Sequence, residues 1–98
     1  MTLRHVVCFR FTTDTTPEQV AALADGLREL PGLIPEIAAY RVGPNLGINP
    51  GTWDFAVTAD FASEADFVTY RDHPEHQDRI SRFVTPITEE RVAVQFAT

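Results

Sequence analysis

At 98 residues the chain has room for one domain, and it buries roughly 60–65% of its unfolded surface, a modest core that oligomerisation would reinforce. Its 44% apolar and 22% charged residues are ordinary for a globular protein, while a net charge of −6, with eight cations that are all arginine and scattered, excludes the clustered positive charge that nucleic-acid binding requires. The single cysteine excludes an internal disulfide, and no apolar run approaches the ~20 residues of a membrane helix.

The first segment, Leu3 to Phe11, reads as a strand. Leu3, His5, Val7, Phe9 and Phe11 point one way; Arg4, Val6, Cys8 and Arg10 point the other. Both faces are apolar in the middle, which predicts a strand covered on both sides. His5 interrupts the more apolar face and so enters or borders the core. Cys8, inside the apolar run, reads as a buried thiol and not as a nucleophile. The run is short and broken by Arg4, His5 and Arg10, unlike a signal peptide, so the expectation is a soluble, cytoplasmic protein.

Thr12 to Pro17 is a turn into the first helix. Thr16 suits the N-cap, Pro17 the first helical position and Gln19 the capping box. Val20, Leu23, Leu27 and Leu30 form the buried stripe, and the helix is expected to reach about Leu30. Gly26 lies within it at a cost of about 1 kcal/mol relative to alanine, which points to close packing against the sheet or to room for a ligand. Pro31-Gly32 stops the helix, and Leu33 to Ile37 is an apolar connector. A second strand is expected over Ala39–Leu46, with a kink at Gly43-Pro44, followed by loop chemistry from Gly47 to Thr52.

Trp53 to Phe61 alternates most cleanly: Trp53, Phe55, Val57, Ala59 and Phe61 against Asp54, Ala56, Thr58 and Asp60. Ser63 caps a second helix with Asp66 at the box position, and Phe67 and Tyr70 share one of its faces. Pro74 disfavours the helical conformation at His73, so that helix ends there and a third runs from Pro74 to about Val84, burying Ile80 and Phe83. On its exposed side Glu75–Arg79 and Asp78–Arg82 are i,i+4 ion pairs. Arg91 to Ala97 is the last strand, with Val92, Val94 and Phe96 on one face.

The order β-α-β-β-α-α-β is that of a ferredoxin-like α+β monomer: a four-stranded antiparallel sheet with helices on one face, filling residues 1–98 as a single domain. The other face carries Val6, Cys8, Ala56, Thr58 and Ala93. An uncovered apolar face predicts a second sheet packed on it, hence a homodimer.

Candidate chemistry gathers where helices two and three meet. His76 falls in the first turn of helix three, whose positive end favours a neutral ring, while Asp72, Glu75 and Asp78 push the other way. The alternative role is a histidine hydrogen-bonded to backbone. Tyr70 on the inward face can donate to an oxyanion or serve as a core residue with a satisfied hydroxyl. His5 is a lone histidine on an apolar strand face, and His73 reads as a turn residue that could pair with an acid. Arg79 can meet a carboxylate of a ligand or simply pair with Glu75. His73 and His76 lack a third ligand at metal spacing and do not form the helical HExxH pattern, so neither metal nor cofactor is expected.

Four segments together resemble one family: His5-Val-Val-Cys-Phe-Arg-Phe11, Ile34-Pro-Glu-Ile-Ala-Ala-Tyr-Arg-Val-Gly-Pro-Asn45, Phe55-Ala-Val-Thr-Ala-Asp-Phe61 and Tyr70-Arg-Asp-His-Pro-Glu-His76. They stand in the order and spacing of the stress-responsive dimeric α+β barrel (Dabb) family. The resemblance implies a ferredoxin-like monomer whose sheet pairs with that of a second copy to form a dimeric α+β barrel. A similar plant polyketide cyclase closes an aromatic ring by aldol condensation without a cofactor. Its histidine base and tyrosine partner match His76 and Tyr70, and its strand-one histidine matches His5. The bulky apolar lining of that enzyme is not reproduced here, where helix one is rich in Ala and Gly. The resemblance therefore implies catalytic His76, Tyr70 and His5 beside a wall of Val7, Phe9, Phe67 and Ile80. The function expected is a cofactor-independent lyase or cyclase acting on a small apolar carbonyl compound; the alternative is a non-catalytic ligand-binding or stress-tolerance homodimer.

Overall fold

Alternation along the first and third strands sets the layers of the molecule, whose residues 2–98 are described by a computed structural model. The strands are β1 (Leu3–Phe11), β2 (Ala39–Pro44), β3 (Phe55–Phe61) and β4 (Thr88–Ala97); the helices are α1 (Pro17–Arg28), α2 (Glu64–Asp72) and α3 (Pro74–Arg79). All pairings are antiparallel and the sheet order is β2-β3-β1-β4. Leu3, Val7 and Phe9 of β1 and Phe55, Val57, Ala59 and Phe61 of β3 are buried beneath Leu23, Ala24 and Leu27 of α1 together with Leu30, Ile34, Tyr70, Val84 and Ile87. Each large side chain buried in this layer contributes roughly 1.5–3 kcal/mol.

The expected elements form, with shifted ends. Thr16 and Gln19 make the reciprocal capping box of α1, but the helix stops at Arg28 and Leu30–Gly32 tightens into a 3₁₀ turn, because Pro31 cannot continue the backbone ladder. β2 ends at Pro44, which offers no N–H. β3 begins at Phe55 because the Asp54 carboxylate takes the backbone N–H of Phe11 (2.8 Å), putting a side chain where the ladder would continue. Trp53, outside the strand, instead lies under the Arg10 guanidinium at 4.4 Å. The third helix is regular only to Arg79; Ile80–Val84 widens into a π turn in which the Thr85 N–H donates to the Ile80 carbonyl at 2.9 Å. β4 starts at Thr88, three residues earlier than the expected Arg91, since a sheet edge tolerates the charges of Glu89 and Glu90.

Three expectations are corrected. Ala93 is not on the uncovered face: it stands opposite Val7, on the helix side, while Val92, Val94 and Phe96 stand opposite Cys8, Val6 and Arg4. A strand apolar on both parities does not reveal which faces the helices, and only its register with β1 does. Val92, Val94 and Phe96 are 52%, 54% and 45% exposed in the single chain. Cys8, on that same face, is half-buried in the single chain. Arg79 is buried, not on an exposed helix side. Its guanidinium is held by Glu75, by Asp78 at 3.0 Å and by Glu29 at 3.3 Å, the partners that a buried charge requires. Gly26 does mark close packing, though against the π turn and not the sheet: a Cβ there would stand 2.6 Å from Cε2 of Phe83.

Candidate functional site

The α2–α3 junction is built by its proline. Pro74 forces His73 into an extended conformation (φ −64°, ψ 135°), which ends α2 and turns the chain into α3. The His73 ring does not pair with an acid. Its Nδ1 accepts from the Glu75 N–H at 3.0 Å and caps α3. The bend carries His76 back over Tyr70, and their ring centroids are 4.2 Å apart, tilted by 38°. Tyr70 is 3% exposed, and its hydroxyl reaches across to β2, 3.1 Å from the hydroxyl of Tyr40. His5, on the inward face of β1, stacks near Phe67 at 4.9 Å and lies 6.3 Å from the Tyr70 ring.

These groups share one cavity of about 600 Å³ between the sheet and the helices, within the range of small-molecule sites. Val7, Phe9 and Val57 form its sheet wall; Phe67, Ile80 and Val84 face them from the helices. The structure thus brings His5, Tyr70 and His76 together with all four expected wall residues, Val7, Phe9, Phe67 and Ile80. Arg79 is not on the wall. Among the described residues no group of three or more His, Cys, Asp and Glu side chains gathers as metal ligands would.

Hydrogen bonds assign the two imidazoles different roles. Nδ1 of His76 lies 3.0 Å from the Arg71 carbonyl, which can only accept, so Nδ1 carries the hydrogen and Nε2 is left with its lone pair. With the Gln95 amide placed nitrogen-first, its Nε2 donates to Nδ1 of His5 at 2.8 Å, so His5 carries its hydrogen on Nε2. Burial, the nearby Arg91 and His76 lower the His5 pKa to about 4. Burial also lowers that of His76. The bond to the Arg71 carbonyl partly opposes this, whereas Arg91 and His73 reinforce it and Asp72 opposes it. Both rings are therefore neutral at pH 7. Burial pushes the Tyr70 phenol up to about 12, against the Tyr40 hydrogen bond and Arg91. Tyr40 is raised further, by burial and by Tyr70. Both phenols are donors at neutral pH.

Tyr40, Gln95 and Arg91 line the cavity and were not singled out in the sequence. Tyr40 reaches the site through its hydroxyl contact with Tyr70, thirty residues further along the chain. Gln95 meets His5 only because β1 and β4 pair in the register His5↔Gln95, which no local pattern shows.

The family model described as the stress responsive A/B barrel domain matches residues 3–98. No curated protein matches the sequence. Among solved structures, a dimeric ferredoxin-like protein of unknown function from Thermobifida fusca YX is 42% identical, with a TM-score of 0.93 over 100% of this chain and 92% of that one. A dimeric protein of unknown function and ferredoxin-like fold from Bacteroides fragilis NCTC 9343 is 27% identical, with a TM-score of 0.84 over 99% and 96% of the two chains. The hydroxynitrile lyase of Passiflora edulis is 22% identical, with a TM-score of 0.83 over 97% and 91%, and shares the fold.

Proposed function

The chain belongs to the stress-responsive A/B barrel domain family, and from that premise we propose that it is a cofactor-independent enzyme of proton transfer, a lyase or cyclase acting on a small, largely apolar carbonyl compound. The observation that carries this reading is the Tyr70–His76 pair, with rings 4.2 Å apart on one cavity and the His76 Nδ1 tied to backbone so that Nε2 is the basic atom. Nε2 of His76 takes a proton from the carbon α to the carbonyl. The electron pair moves onto the carbonyl oxygen, which accepts a hydrogen bond from the Tyr70 hydroxyl, itself accepting from Tyr40. The enolate then attacks a second carbonyl or expels a leaving group, and the imidazolium returns its proton. A positioned base contributes roughly 10²–10⁴ to such a step. A hydroxynitrile lyase among the neighbours makes the reaction class compatible with the fold, which lends no residue roles.

The same reading includes a homodimer. Val6, Cys8, Val92, Val94 and Phe96 leave an apolar face without helices, and the Thermobifida and Bacteroides proteins are dimeric. The two faces would close on one another, as a large exposed apolar patch demands.

A second reading, a ligand-binding dimer without turnover, is favoured by one feature: the Tyr70 hydroxyl and the His76 Nδ1 already have protein partners. Proton exchange separates the two. In D₂O, the wild type should accelerate deuterium uptake α to the carbonyl of 4-phenyl-2-butanone and related ketones, followed by ¹H NMR. His76→Ala should abolish this with the dimer intact by light scattering, and Tyr70→Phe should reduce it. Ketone binding without exchange would leave the binding reading.

A further inference from the structure

The cavity carries a charge opposite to that of the chain around it. The protein has 14 carboxylate side chains and eight arginines, yet among the described residues the cavity wall includes Arg71 and Arg91 and no Asp or Glu. The two arginines differ. Arg71 is engaged with Asp72 through two contacts, 2.9 and 3.1 Å. Arg91 makes no ion pair with any described residue, although its neighbours in sequence include Glu89 and Glu90; Glu90 turns to Arg10 on the opposite face. Arg91 stands opposite Phe9 on the helix side of β4, with Gln95 on the same side and Thr88 at the strand's start, so three polar groups of one strand form one rim. Val7, Phe9 and Val57 lie beyond them.

We propose that the cavity takes an amphiphilic monocarboxylate, an oxo acid whose carboxylate sits on the Arg91 guanidinium and the rim of β4 while its alkyl or aryl end lies against Val7, Phe9 and Val57. The inference rests on the reading of this cavity as a ligand site, and it names the chemistry of the ligand there. A guanidinium fork presents parallel N–H donors that match two carboxylate oxygens. An apolar wall with one charged group at its rim binds an end-charged molecule in a single orientation. That orientation lays the body of the ligand along the side of the cavity that holds His76 and Tyr70, where a ketone oxygen would meet the Tyr70 hydroxyl. Arg91 also acts electrostatically on His5, Tyr70 and His76 together, which puts its charge within reach of the whole polar side of the cavity.

The test compares 4-phenylbutyrate with 4-phenyl-1-butanol, nearly equal in size and different in charge, by ¹H–¹⁵N NMR titration of the wild type, Arg91→Gln and Arg28→Gln. The carboxylate should bind the wild type about tenfold more tightly than the alcohol, with shifts at His5, Tyr70 and Gln95. Arg91→Gln should erase that preference while the alcohol still binds, which also shows that the variant folds. Arg28→Gln, which removes the same charge away from the cavity, should keep the preference. Equal or tighter binding of the alcohol to the wild type, or a preference that survives Arg91→Gln, overturns the carboxylate inference and leaves the cavity a ligand site. Failure of both probes to bind overturns both.

Discussion

His5 should make the fold acid-sensitive. Its folded pKa is about 4 against an ordinary 6.5, with burial as the first cause. The unfolded chain therefore binds the proton more readily, and stability is present above pH 6.5 and lost as pH falls toward 4. Between pH 7.5 and 5.0, linkage with these two values gives a loss of about 2 kcal/mol, approaching about 3.4 kcal/mol below pH 4. The side chain is 7% exposed, but its ring opens on a cavity that water can enter, so 2 kcal/mol is an upper bound. Urea titrations followed by the fluorescence of Trp53, at one protein concentration, would measure this in the wild type and in His5→Gln. The variant should lose less stability than the wild type between the two pH values, by up to that amount. His76, shifted in the same direction, adds to the loss in both proteins. An identical pH loss in the two proteins, or a His5 resonance titrating near 6.5, would refute the reasoning.

Gly26→Ala should destabilise the chain by about 1–3 kcal/mol in chemical denaturation, because the new methyl meets Cε2 and Cδ2 of Phe83 at 2.6 and 2.7 Å; an unchanged midpoint would mean that the ring moves aside freely. Val94→Asp should shift the light-scattering mass to that of a monomer or prevent folding, since a charge would be buried on the face shared with Val6. In the monomer that results, Cys8 should react faster with a thiol reagent than in the wild type, while Cys8→Ser should leave function intact. Tyr40→Phe should slow ketone exchange about tenfold by removing the hydrogen bond that Tyr70 accepts; full activity would remove Tyr40 from the relay.

Local rules made most of the fold legible. The two-residue period of β3, the Thr16–Gln19 box and the Pro74 break are each written within a few residues, and each recurs in the structure. The α2–α3 part of the site was legible for the same reason: Tyr70 and His76 are six residues apart, and the proline between them dictates the bend. What failed was non-local. The parity of β4, and with it the face of Ala93, depends on a register with a strand more than eighty residues away. Gln95 joins the site by the same long-range pairing, and Tyr40 by the pairing of β2 with β3. Arg79 was misplaced because i,i+4 spacing to Glu75 reads as a surface pair, whereas Gly26 of α1 and Glu29 just beyond its end close over it.

The division of labour between the two histidines follows from that geometry. A base must present a lone pair to the cavity and hold it at neutral pH. His5 fails on both counts: its pKa near 4 makes it a weak base, and its Nδ1 lone pair is taken by Gln95. What it offers is an N–H on Nε2, a second donor on the β1 side of the site. His76 has the complementary arrangement. The Arg71 carbonyl fixes the hydrogen on Nδ1, orients the ring over Tyr70 and raises the basicity of Nε2 against the opposing effect of burial. That carbonyl is available because α2 stops at Asp72: the last carbonyls of a helix have no partner within it, and the chain beyond Pro74 returns to occupy this one with His76 and with the Gln77 amide at 2.7 Å. The proline that breaks the helix thus supplies the acceptor that fixes the tautomer of His76. Replacing Pro74 by alanine should let α2 continue, withdraw the Arg71 carbonyl and separate the rings. Loss of the His76 Nδ1–H resonance in ¹⁵N NMR would report this, and its persistence with an unchanged shift would show that the bend is held by the His73 cap instead.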